Sequence, residues 1–549
     1  MKNMNFSKSP FGIACLMMIL VAMQSCNNNY DYDLVGDLFQ PKFILEEPLV
    51  EGNSVSLVWY EINEAKSYTV EFYTDNYYSK LFEQYHTTKA SFTADDIPYS
   101  TQYYIWVRAN SDNPKHHSQW TKTKAKTSER PPFAKILNEV ERVDIGENEV
   151  RISWVIDLNN PIDSITLIPA QDTSALSMCR YLTEEELVKG EAHLTYLQKN
   201  TLYYANVYDN TKSRKYDKPY NQIKFRTAGP SAETIVVNRT MNLDSLLKAN
   251  NENAEIPEGA EYFLETGCSF KIGSIAIKKG FKLTGSTEGT VPQIELDGSW
   301  DIADGAYISN VTFENIRFYQ TIDAGYFFNS GNSWTIDEVV IYNCVFNYFK
   351  RGFWRHKSGG KYKEIGSFEM SYSMLDEVGG HSGPYGTFSI NSGGDDNIKK
   401  AVFSHCTFMR DHYQTDDKTK NFRHLFDYNN SAYPIHLEYR NVTICDYAYN
   451  QGLINIPAAE NSTLIVENVL VAANTGVMLR GVTASTTKIF SNNYATSDHL
   501  IGVGDINGTS LSMSAEDLFV DPVAGNLTIK NPSSEIITNK VGDSRWWTE

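Results

Sequence analysis

Apolar residues two apart recur through the C-terminal half of the chain. VTFENIRF (311–318), VIYNCVF (340–346), AVFSHCTF (401–408), LEYRNVTI (437–444) and LIVENVLV (464–471) share one form. Each places apolar residues at alternate positions, then a polar pair, then two more alternate apolar residues. A period of two is the signature of a strand. Phe313, Ile341, Phe403, Tyr439 and Val466 hold equivalent places, and FEMSYSML and KIFSNNYA add Met370 and Phe490. Successive steps are 28, 29, 33, 36, 27 and 24 residues. Self-similarity on this scale marks a solenoid, propeller or array. Short strands with one bend per repeat predict a right-handed parallel β-helix over 232–549. Asn315, Asn343, Asn441, Asn468 and Asn492 fall at the bend. Asn tolerates the left-handed backbone that a bend needs, and stacked amides can bond from coil to coil. Cys344 and Cys406 follow the bend at inward places and read as small core hydrophobes.

The N-terminal half alternates differently. VSLVWYEI places Val55, Leu57 and Trp59 on one face, and SYTVEFYT and YYIWVRA continue the period of two. Thr101 and Tyr103 stand at the mouth of the last of these strands. The pattern returns as Val150, Ile152 and Trp154, then Leu197, Thr201 and Tyr203; Trp59 and Trp154 are 95 residues apart. A buried Trp on an early strand with a T-x-Y corner on a late one resembles a fibronectin type III module. The expected organisation is two such β-sandwiches, 39–128 and 131–228, joined by SERPPF, and then the β-helix. Two unrelated β domains are the alternative. The fold class is all-β.

The N-terminus reads as an export signal over 1–25. Lys2 and Lys8 precede an apolar run from Phe11 to Met23, too short for a permanent span. It ends in Met-Gln-Ser-Cys, which resembles a bacterial lipobox and implies acylation of Cys26. The alternative is an ordinary signal peptide with an incidental Cys. The acidic stretch after it, 26–38, reads as a tether. Five Cys remain beyond Cys26, sparse and odd in number, so no disulfide framework is implied. No CxxC or Cys/His cluster points to zinc. A net charge of −18 argues against nucleic acid as a partner.

The layout resembles surface lipoproteins of Bacteroidetes polysaccharide-utilisation systems. In these, fibronectin-like modules precede a pectate-lyase-like β-helix that ends in a G-D-x-R-W-like tail, here Gly542-Asp543-Ser544-Arg545-Trp546. The resemblance implies an outer-membrane, lipid-anchored protein facing the cell exterior. It also implies a polysaccharide ligand and outer-membrane transport partners.

Candidate chemistry centres on YFKRGFWRHKSGGKYK (348–363), which has six Lys or Arg residues and no acid. Alternation in GFWRHK puts Trp354 and His356 on one face and Phe353, Arg355 and Lys357 on the other. Aligning Trp354 with Phe388, Phe426 and Ile454 in later coils gives an outward row of Arg355, Ser389, Asp427 and Asn455, with Asn391 beside it. Phe353, Arg355, Lys357, Ser389, Asn391, Asp427 and Asn455 are therefore the candidate ligand-binding residues. Arg grips carboxylates with two prongs, so the expected ligand is acidic or pectin-like. The alternative is a solvated strand neutralised by Glu364, Glu369 or Asp376. A uronate lyase would use Arg355 or Lys357 as base, with calcium at Asp395-Asp396 or Asp416-Asp417. A hydrolase lacks its motif set here, and His381 in VGGHSGPYG reads as a loop residue. A third reading is a structural or adhesive protein that contacts partners through its sandwiches.

Overall fold

The computed structural model describes residues 36–129, 135–158, 161–170, 178–208, 219–321, 325–357, 361–379, 386–390, 395–410, 424–429, 431–447, 452–474, 476–499 and 503–548. The export segment, Cys26, the tether up to residue 35, His381, Asn391, Asp416 and Asp417 lie outside these residues. The chain divides into two compact units. One carries the first sandwich. The other carries the second sandwich and the β-helix, from Lys135 onward apart from Asp209–Tyr220. Among the described residues no helix is long and apolar enough to cross a membrane.

The first sandwich packs a sheet of Leu49–Glu51, Ser54–Val58 and Ser91–Ala94 against a second sheet. That second sheet runs in the order Leu81–Thr87, Ser67–Tyr73, Gln102–Asn110 and Thr121–Lys126. All pairings are antiparallel. Val55, Leu57 and Trp59 point inward as their alternation predicts, against Val70, Phe72 and Ile105. The second sandwich repeats the plan with a sheet of Met178–Tyr181, Ser164–Pro169, Leu202–Tyr208 and Gln222–Arg226, faced by Val150–Ser153 and Glu191–Leu194. Its tyrosine corner is closed: Gln198 N donates to Tyr203 Oη at 2.9 Å. Both sandwiches are fibronectin type III-like.

From Ile235 the chain winds into a right-handed parallel β-helix with three walls. Wall one has ten strands among the described residues and wall two has ten, while wall three has six. Wall one holds Ala306–Glu314, Trp334–Tyr342, Lys363–Ser371 and Asp396–Ser404 in its middle. Wall two there holds Arg317–Gln320, Val345–Asn347, Met374–Asp376 and Thr407–Met409. Wall three runs Tyr326–Ser330, Gly352–His356, Phe388–Ile390, Phe426–Asp427, Ile454–Ile456 and Leu479–Val482. Phe313, Ile341, Met370, Phe403, Tyr439, Val466 and Phe490 are successive partners in the wall-one register. A strand slip of one residue would turn each of them outward. The common apolar core fixes the register.

The bend between walls one and two is left-handed from Asn315 to Asn492. Asn315, Asn343, Asn441, Asn468 and Asn492 have φ between 49° and 56°. Their amides join: Asn343 Nδ2 donates to Asn315 Oδ1 at 2.9 Å and Asn492 Nδ2 to Asn468 Oδ1 at 2.7 Å. Tyr372 and His405 occupy the same bend and stack instead, with ring centroids 4.6 Å apart. Cys344 and Cys406 are free and fully buried, and burial pushes both thiols up to about 12. They are core residues.

The start of the helix and the outer face of wall two are covered. At the start, Leu243–Glu252 forms an amphipathic α-helix whose Leu243 and Leu247 join the core. At the end, DLFVDPVAGNLTIK is not a further coil. Phe519–Asp521 pairs antiparallel with Asn526–Ile529. This hairpin buries Leu518, Phe519 and Leu527 with Met409, Cys445 and Leu470 of wall two. Wall two exposes apolar side chains on its outer face, and the tail removes them from water. The G-D-x-R-W segment fastens this cover. Thr407 Oγ1 donates to Asp543 Oδ2 at 2.8 Å, Asp543 N donates to Thr443 Oγ1 at 2.9 Å, and Trp546 Nε1 donates to Thr407 Oγ1 at 2.7 Å. Gly542 has φ 79°, and a Cβ there would come within 2.7 Å of Thr443 Oγ1.

Candidate functional site

Wall three contains the row expected from sequence. Trp354 pairs with Phe388, Phe388 with Phe426 and Phe426 with Ile454. The next residue on each strand builds Asn329, Arg355, Ser389, Asp427 and Asn455 in register. The row is closed, however. Ser389 is 0% exposed, Asp427 5% and Asn455 7%. Asn455 Nδ2 donates to Asp427 Oδ1 at 3.0 Å, so these two satisfy each other. Arg355 is half-buried with its guanidinium 5.5 Å from the Tyr326 ring centre.

Phe353 is a correction. It lies in the core, stacked on Phe327 at 5.0 Å, and does not share the outward face of Arg355. The reason is local. Phe353 N and Trp354 N both donate to Thr387 O, at 2.9 and 3.0 Å, so alternation breaks at this corner and two adjacent rings turn inward.

The basic stretch is dispersed by the fold. Lys350 and Lys363 are buried. Lys361 pairs with Asp304 at 3.1 Å. Lys357 is exposed at the strand end. Lys363 Nζ lies 3.5 Å from Asp396 Oδ1, and His356 Nδ1 lies 3.3 Å from the same oxygen. Desolvation holds the His356 imidazole below its ordinary value, and Asp396 only partly offsets this. Asp396 is therefore not available to calcium: it is fully buried and already faces an ammonium. Among the described residues no group of three or more His, Cys, Asp or Glu is arranged to hold a metal. The acids expected to neutralise the stretch serve others: Glu364 pairs with Lys399, Glu369 with Lys400 and Asp376 with Arg410.

A second row, open at Tyr307 and buried at Asn397, lies at the entrance of wall one. Tyr307, Thr335, Glu364 and Asn397 are successive register partners. Parallel strands repeat at about 4.8 Å, so the row extends about 14 Å along the axis. Tyr307 is 66% exposed, Tyr362 42% and Tyr433 36%. Polar groups hold the rings in place. Tyr307 Oη donates to Asp337 Oδ2 at 2.6 Å, and Tyr362 Oη donates to Glu364. Lys399 Nζ and Asn397 Nδ2 donate to Glu364 at 2.8 and 2.9 Å. Tyr362 and Tyr433 meet edge to face at 6.5 Å. The buried ion cluster sits directly behind, because Lys363 and Asp396 are the inward neighbours of Glu364 and Asn397. The sequence reading passed over this row. Its signal was a Tyr at the start of wall one in two coils: Tyr307, the second residue of its strand in DGAYIS, and Tyr362, just before the strand in KYKEIG.

A cleft of about 1010 Å³ separates the second sandwich from the first coils, lined by charges of both signs. Its cations are engaged: Arg142 pairs with Glu314 and lies over the Tyr342 ring at 4.0 Å, and Lys282 also reaches Glu314. Nearby, buried Glu147 latches the two parts together. It accepts from Lys199 Nζ at 2.7 Å, Ser286 Oγ at 2.5 Å and Thr287 N at 2.7 Å. This region is a joint.

No protein-family model matches the chain, and no curated protein matches it. Among solved structures it is similar to the crystal structure of chicken CNTN1 FN1-FN3 domains. The identity is 15% and the TM-score 0.18, over 35% of this chain and 69% of that one. It is also similar to the two fibronectin type-III domain segment from chicken tenascin, at 15% identity and a TM-score of 0.16, over 35% of this chain and 99% of that one. The class defined is an all-β protein of two fibronectin type III-like sandwiches and a parallel β-helix.

Proposed function

We propose that this chain is a non-catalytic polysaccharide-binding protein whose ligand lies along the entrance of wall one. The carrying observation is the in-register row of Tyr307, Thr335, Glu364 and Asn397, with Tyr362 and Tyr433 exposed beside it. Rigid aromatic faces pack on the C–H faces of sugar rings, and fixed carboxylate and amide groups bond hydroxyls. A strand repeat of about 4.8 Å is close to the advance of one hexose along an extended glycan. The row mixes Asp337 and Glu364 with Lys399, which suits a hydroxyl-rich chain of either charge. The lyase alternative gains no support from Arg355, which is half-buried in a closed row.

In this proposal Cys26 is acylated and tethers the protein to the outer membrane, facing outward. The latched second sandwich and helix present the row as one body, and captured glycan passes to transport partners. Affinity electrophoresis of the full chain through gels of single polysaccharides tests the reading. Retardation by at least one glycan, lost in Tyr362→Ala with Tyr433→Ala, supports it. Retardation unchanged by the pair would assign binding elsewhere.

A further inference from the structure

The first sandwich carries a second surface that nothing above uses. Its four-stranded sheet turns aromatic rings outward: Tyr78 and Trp106 lie 4.6 Å apart, Trp106 and Trp120 5.5 Å, and Tyr78 and Tyr104 6.0 Å. The edge strand Thr121–Lys126 reads TKTKAK, with Lys122, Lys124 and Lys126 exposed and Ala125 buried. The register sets Lys122 against Trp106, Lys124 against Tyr104 and Lys126 against Gln102. Cross-strand partners share a face, so the cations and the rings stand together.

Lys122 Nζ lies 4.5 Å from the Trp106 centroid and 4.9 Å from that of Tyr78, which holds the ammonium against the sheet. Among the described residues none of the three lysines forms a salt bridge. They line a groove of about 660 Å³ with Tyr78, Tyr104 and Gln102, and Glu46 and Glu47 also line it.

We propose that this groove binds a carboxylate-bearing sugar chain, a uronate polymer. Charge complementarity carries the choice: on a chain of net charge −18, this strand gathers three cations that pair with no acid among the described residues. The shared face selects among polyanions. An acidic peptide adding as a strand would lie in the sheet plane, beside the edge, away from the rings. A lipid surface needs protruding cations, whereas these line a depression that Glu46 and Glu47 line as well. A uronate chain uses both features, with carboxylates on Lys124 and Lys126 and a ring face on Tyr104. The groove belongs to the first compact unit, so the inference stands whatever wall one binds.

The test measures binding of the full chain to polygalacturonate, with uncharged galactan, poly-glutamate and phosphatidylglycerol vesicles as comparison probes. Polygalacturonate is expected to bind best. Lys124→Glu with Lys126→Glu should weaken it about tenfold or more, and Tyr104→Ser should weaken it with no change of charge. Both variants alter exposed or half-exposed side chains, and an unfolding midpoint equal to the parent's confirms the fold. Tyr362→Ala with Tyr433→Ala should leave polygalacturonate binding intact, which separates this site from wall one. Unchanged binding in the lysine pair overturns the proposal. Equal binding of poly-glutamate or of the vesicles overturns the choice of a sugar ligand.

Discussion

Wall three stacks Asn329, Arg355, Ser389, Asp427 and Asn455; the entrance of wall one stacks Tyr307, Thr335, Glu364 and Asn397. Both rows are polar, both face away from the core and both repeat once per coil. The first is buried from Ser389 to Asn455, while the second, though also bonded internally and buried at Asn397, leaves Tyr307 in water with Tyr362 and Tyr433 exposed beside it. Alternation along a strand tells which residues leave the core, because side-chain direction is a backbone property. Whether they then meet water depends on what lies over the wall, and no period along the strand encodes that.

The sharpest way to break this comparison lies between the two rows. Asp396→Ala removes the carboxylate that faces the buried Lys363 and His356, and should cost about 3–5 kcal/mol. The denaturant midpoint should fall accordingly. Asp304→Ala removes the exposed partner of Lys361, a solvent-screened pair, and should cost far less. Equal effects would show the cluster to be solvated.

Next comes the closed row itself. Asn455→Ala removes the donor to Asp427 in a buried setting and should cost about 1–3 kcal/mol. A shift near zero by equilibrium unfolding would mean that this row is wet.

The same cluster predicts a pH response. Burial holds His356 and His405 below their ordinary value. The unfolded chain then takes up protons first as pH falls through about 6.5. Stability should be full above that range and decline below it. Melting temperature against pH should show this decline, and His356→Asn should make it shallower.

The smallest expected effect on stability is at the open row. Thr335→Ala should change stability by no more than about 0.5 kcal/mol, while glycan retention falls. A large loss of stability there would mark Thr335 as structural.

Much of the fold was legible. Seven wall-one residues aligned from spacing alone are register partners, and five Asn residues placed at the bend have left-handed backbone. The core and the bend chemistry recur at every coil, so each repeat corroborates the next. The bend that directly follows each wall-two strand was not legible. Tyr348, Glu377, Arg410, Asp446 and Ala473 share its positive φ but no residue type. Phe353 failed because two amides share one carbonyl, which a strand period does not register. The basic stretch misled because Lys363 turns inward to Asp396, a partner 33 residues away in sequence. The tail cover left a signal that went unused: Met409, Cys445 and Leu470 are apolar at outward places on wall two, which requires something to cover them.

The most direct test compares two substitutions against one ligand. Dissociation constants for an oligosaccharide of a glycan that still retards the chain carrying Lys124→Glu with Lys126→Glu should be measured for Tyr362→Ala and Arg355→Ala. The account predicts about tenfold weakening or more for Tyr362→Ala, which is about 1.4 kcal/mol, and little change for Arg355→Ala. Loss of binding in Arg355→Ala with Tyr362→Ala unaffected would contradict it and return the site to wall three.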